Sequence, residues 1–116
     1  MTLRTGPVWA WASEDLEVVG DAADLGERLG APVHVLLAGD SLDPAAAAGA
    51  GADHVVVPDA DPLDAEAQAA GLEACFEGAP PVAVLVPATG AGADLGGRLA
   101  VRLHVPCLAD CDRVRP

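Results

Sequence analysis

The sequence predicts an α/β fold, a three-layer, doubly wound arrangement of helices on both faces of a parallel sheet. Short apolar runs alternate with segments of helical period along the whole chain. The runs are apolar at nearly every position, as strands covered on both faces are. No linker or shift in composition divides the sequence, so residues 1–116 read as a single domain. Right-handed crossovers follow from the handedness of β-α-β units.

The elements follow in order. "VWAWA", Val8 to Ala12, is a first strand. "DLEVVGDAADLGERLG" then places Val18, Ala22, Leu25 and Leu29 on one helical face and Glu17, Asp21, Asp24 and Arg28 toward water. Ser13 or Asp15 can cap its start, and Gly30 ends it. "VHVLLAG", Val33 to Gly39, is a second strand, followed by a short alanine-rich helix opened by Asp43 and Pro44. "HVVVPD" is a third strand. The acidic loop "DADPLDAEA" leads into a helix with Ala69, Leu72 and Phe76 on one side. "VAVLVP" is the fourth strand. "ATGAGADLGGRLAVRL" supplies a glycine-rich bend and the fourth helix, and "PCLADCDRV" reads as a fifth strand. The sequence then stops at "RVRP", which reads as a domain cut from a longer protein or as a partner lacking its other half.

Composition narrows the function. Eighteen acids stand against six arginines with no lysine, a net charge of −12. Nucleic-acid binding rests on clustered Lys and Arg that release counterions from phosphates, and no such cluster exists here. No apolar run reaches the roughly 20 residues of a membrane helix. The N-terminus lacks the apolar core and cleavage site of a signal peptide. These features predict a soluble, cytoplasmic protein without membrane insertion. Cys75, Cys107 and Cys111 form neither a disulfide framework nor a redox CxxC pair. His104, Cys107 and Cys111 make an H-x2-C-x3-C cluster, but zinc usually takes four ligands with a second pair at recognisable spacing. The expectation is no metal, and structural thiols.

The candidate for chemistry is the bend at Thr89, Gly90, Ala91 and Gly92. Gly90, Gly92 and Gly96 follow a strand and open a helix, with Asp110 further on, close to the fingerprint that seats a pyrophosphate on a helix N-terminus. Three features oppose a phosphate. The unit is the fourth strand rather than the first, the last glycine spacing is one residue too long, and Asp94 is placed in the first helical turn, where it repels an anion. A P-loop would need Lys followed by Ser or Thr, and none follows. The preferred reading is a tight corner where Leu95, Leu99 and Leu103 face the sheet and Gly96 permits close approach. Thr89 caps the bend or meets a ligand oxygen; both roles stay open. His34 and His54 read as separate, structurally satisfied histidines, and the acids of "DADPLDAEA" as solvated surface. Ser41 stands in no G-x-S-x-G elbow. No nucleophile, base and orienter converge, so the reading is of a non-enzyme without a catalytic residue.

Several segments in order resemble the N-terminal domain of the electron transfer flavoprotein alpha subunit. "LEVVGDAADLGERLGAPVHVLLAG" is similar to its first helix and second strand, and "GADHVVVPD" to its third strand. "VLVPATGAGADLGGRLAVRLHVPCLADCDRV" is similar to the motif closing that domain, through Pro87-Ala88-Thr89, Gly92, Asp94-Leu95, Arg98-Leu99-Ala100 and Asp110. The resemblance covers about residues 8 to 114. It implies the adenine nucleotide alpha-hydrolase-like, Rossmann-like fold with sheet order 3-2-1-4-5. It further implies a heterodimer with a beta-type subunit, passing electrons from flavin dehydrogenases, such as those of the acyl-CoA dehydrogenase type, to a quinone reductase or similar acceptor. In that family FAD is held mainly by the alpha subunit's C-terminal domain, which this sequence lacks, and AMP or a second FAD lies in the beta subunit. FAD is thus implied for the complex and no cofactor for this chain alone. The sequence departs from the family at Ala91 and Ala93, where Arg or Lys often stands. Its acidic excess also departs, reading as a docking surface or the mark of a salt-tolerant host. The alternative is a small stand-alone nucleotide-binding protein of the universal-stress-protein type, using Thr89 to Gly92 as a phosphate cradle.

Overall fold

The computed structural model describes residues 6–38, 42–57 and 64–103. Four strands, β1 (Val8–Ala12), β2 (Val33–Leu37), β3 (His54–Val56) and β4 (Ala83–Leu85), alternate with four helices, α1 (Glu17–Leu29), α2 (Pro44–Gly49), α3 (Ala65–Gly78) and α4 (Gly90–Leu103). The strands form one parallel sheet in the order β3-β2-β1-β4. This is the expected order as far as the described residues reach. The fifth strand expected at "PCLADCDRV" lies outside them.

Alternation along β1 separates two cores. Val8, Ala10 and Ala12 pack with Val18, Val19, Ala22 and Leu25 of α1 and Ala47 of α2. Trp9 and Trp11 turn to the other face and pack with Ala69, Leu72 and Phe76 of α3 and Leu95 and Leu99 of α4. The strand is buried at every position, so both faces need a cover, and the two helix pairs supply it. Indole N–H groups need partners when buried. Trp9 Nε1 donates to the Ala79 carbonyl at 2.9 Å and Trp11 Nε1 to Gln68 Oε1 at 3.1 Å. Gln68 is therefore buried on a helix whose other inward residues are apolar.

The local punctuation follows the sequence with three differences. Asp43 caps α2 through the Ala45 N–H with Pro44 in the first turn, and Gly30 closes α1 in the left-handed conformation, φ 66°. At the start of α1 the expected caps act differently. Asp15 Oδ1 accepts from the Glu17 N–H at 3.0 Å, while Ser13 Oγ is buried without a hydrogen bond. The helix begins only at Glu17, too far along for Ser13 to reach a first-turn amide. Leu29, expected on the buried face, is 39% exposed, and Val19 is buried instead. Leu29 is the last residue of α1, at the helix end just before the Gly30 turn.

Candidate functional site

The order β3-β2-β1-β4 reverses direction between β1 and β4, with α1 and α2 on one face and α3 and α4 on the other. In such sheets ligands bind outside the carboxyl ends of the strands at this switch point. Ser13, one residue past β1, and Pro87 to Gly92, leading from β4 into α4, lie at those ends.

The glycines expected in a bend are inside the helix. α4 starts at Gly90, and the turn itself is Pro87 to Thr89, closed by the Thr89 N–H on the Pro87 carbonyl at 2.8 Å. Thr89 is half-buried, Gly90 and Ala91 are exposed, and Gly92 is buried. Thr89 Oγ1 accepts from the Gly92 N–H at 3.0 Å, and the Thr89 carbonyl accepts from the Ala93 N–H at 2.9 Å. Of the two roles open to Thr89, the structure shows the cap, the usual use of threonine at a helix start. Gly92 meets the chain itself: a Cβ there would run into the Pro87 carbonyl. Its bareness serves contact between α4 and the strand exit.

Asp94 corrects the sequence reading. The helix begins earlier than a separate glycine bend would allow, so no acid stands in its first turn. Asp94 lies one turn further on, where i,i+4 spacing brings its Oδ1 to 3.0 Å from Arg98 Nε. Arg98 Nη1 also reaches Glu66 Oε1 at 3.1 Å, and Arg102 holds Glu66 Oε2 at 2.8 Å and Glu73 Oε1 at 3.3 Å. Glu66 thus joins both arginines across the α3–α4 contact. Hydrogen bonds from Arg102 and then Arg98 hold its carboxyl below the usual range. Bonds to Asp94 and Glu66 raise the Arg98 guanidinium, and those to Glu66 chiefly raise that of Arg102. A shallow groove of about 650 Å³ runs along this face, lined by Glu66 and by Ala93, Asp94, Gly97, Arg98, Val101 and Arg102. Val101 in it is 75% exposed.

The remaining candidates scatter or meet unexpectedly. Leu95 and Leu99 face the sheet as expected, while the side chain of Leu103 is outside the described residues. So are Ser41, Asp59, Asp61, His104, Cys107, Asp110 and Cys111. Of the acids in "DADPLDAEA", Asp64 caps α3 through the Ala67 N–H at 3.1 Å and Glu66 is the bridging carboxylate; both are specifically bonded rather than merely solvated. Cys75 is half-buried, and burial pushes its thiol up, away from reactive thiolate. His34 and His54, read as separate, lie ring against ring at 4.7 Å. Their pairing depends on strand register, which residue spacing does not reveal. Among the described residues no group of three or more His, Cys, Asp and Glu converges for a metal, and no helix is long and apolar enough to cross a membrane.

Comparison with curated proteins finds no match. The family model of the electron transfer flavoprotein domain matches residues 3–115, nearly the full length and every described element. Together with the parallel α/β sheet, that match bears out the resemblance at the level of family: this chain belongs to the electron transfer flavoprotein domain family.

Proposed function

We propose that the chain is an alpha-type N-terminal domain of an electron transfer flavoprotein, serving as scaffold and subunit interface and carrying out no reaction of its own. The observation carrying this reading is the family match across residues 3–115. In this reading it pairs with a beta-type subunit in the cytoplasm, and the complex accepts electrons from flavin dehydrogenases of the acyl-CoA dehydrogenase type. FAD supplies the redox chemistry of the complex and is held elsewhere than on this chain. The residues of the turn support that division: Thr89 Oγ1 is engaged by Gly92, Gly92 abuts Pro87, and Ala91 and Ala93 bring no cation. Co-expression with a beta-type chain should give a one-to-one complex by light scattering, and the chain alone should be colourless. Stoichiometric flavin on the isolated chain would overturn the reading.

A second reading, a stand-alone nucleotide-binding protein, is favoured by one observation. Ser13 Oγ, at the switch point, is buried without a hydrogen bond, and a ligand oxygen there would satisfy it. Calorimetry with ATP, AMP and FAD decides it, since flat titrations remove this reading and leave the first untouched.

A further inference from the structure

A graded row of rings crosses the sheet. Trp9 of β1 stands opposite His34 of β2, and His34 opposite His54 of β3, in the parallel register. Phe76 of α3 meets Trp9 at 5.5 Å, Trp9 meets His34 edge-on at 5.0 Å, and His34 meets His54 at 4.7 Å with planes tilted by 58°. Exposure rises along the row. Trp9 and Phe76 are buried, His34 is half-buried, and His54 is exposed on the edge strand. The outer end is therefore two imidazoles, side by side and open to water.

That spacing suits a shared ion. With metal–nitrogen bonds of about 2.1 Å and ring centres about 1.2 Å beyond the nitrogen, two imidazoles on one ion at 90–110° have centroids roughly 4.7–5.4 Å apart. The observed 4.7 Å matches the 90° end of that range. His54 is exposed, so its ring has room to turn toward an ion shared with His34.

We propose that His34 and His54 form an open, two-histidine site for a divalent transition-metal ion, with water filling the remaining positions. Imidazole suits nickel, copper and zinc rather than calcium or magnesium. With two protein ligands the ion exchanges readily. Binding ties β3, only three residues long, to β2, so the ion stabilises this sheet edge by mass action.

Ni²⁺ is the probe, because it is paramagnetic and is not reduced by thiols. The full chain carrying His104→Gln, Cys107→Ser and Cys111→Ser removes the other candidate ligand cluster. Calorimetry should show one Ni²⁺ per chain, and NMR should show the His34 and His54 ring signals broadening together, with Zn²⁺ competing. Adding His54→Gln, an exposed change that leaves the core intact, should weaken binding by about tenfold or more. His34→Gln should do the same. Unchanged affinity in the His54→Gln chain, or no saturable uptake up to about 1 mM, would overturn the proposal.

Discussion

Thr89 Oγ1 accepts a hydrogen bond from the Gly92 N–H at 3.0 Å, so the hydroxyl at the mouth of the switch point is spent on the helix that follows it. First-turn amides have no partner within their own helix, and here one is satisfied by the preceding side chain. Thr89→Ala should lower unfolding free energy by about 1 kcal/mol, and Thr89→Ser should retain most of it. Urea unfolding of the two variants measures the difference. Equal stability of wild type and Thr89→Ala would mean that the hydroxyl does not act as a cap.

Two glycines of α4 should respond in opposite directions. A Cβ on Gly92 meets the Pro87 carbonyl and ring, whereas one on Gly97 meets nothing within 4 Å. Gly92→Val should therefore destabilise by about 2–4 kcal/mol, through a backbone clash that no side-chain rotation relieves. Gly97→Ala, on the exposed side of the helix, should stabilise by up to about 1 kcal/mol through helix propensity. Thermal melts of the pair test both signs at once.

The buried Trp11–Gln68 bond is a second sensitive point. Gln68→Leu keeps the volume approximately but leaves the indole N–H without its acceptor, at a cost of about 1–3 kcal/mol. The variant should also shift the tryptophan emission, because Trp9 and Trp11 are the only tryptophans. Denaturant melts followed by fluorescence read both effects.

His34 should make stability depend on pH. Its folded-state affinity for a proton is lowered, first by burial, then by His54, with Asp53 opposing. The unfolded chain consequently takes up the proton first. Stability should be full above the ordinary imidazole value of about 6.5 and fall as pH drops below it, until the folded form also protonates. In His34→Gln that part of the slope should disappear. Unfolding free energies between about pH 5 and 8, compared with wild type, check the sign.

Much of this architecture is legible in the residues because its causes are local. Asp43 with Pro44, Gly30, and the apolar face of Ala69, Leu72 and Phe76 act within one element. Even the Asp94–Arg98 pair follows from i,i+4 spacing once the helix start is known. Element ends were less legible: α4 begins at Gly90 because Thr89 caps it, which turns a supposed loop into helix and moves Asp94 out of the first turn.

By itself, then, the sequence determined the α/β class, the parallel alternation and the family, since hydrophobic period, caps and motif order are all properties of contiguous residues. Tertiary structure alone decided the contacts between distant segments. It set Gly92 against Pro87, joined Glu66 to Arg98 and Arg102, and left Ser13 Oγ buried at the switch point. It also made neighbours of His34 and His54, through a register set when β2 and β3 lie side by side. One residue of slip would put those rings on opposite faces, because side chains alternate along a strand.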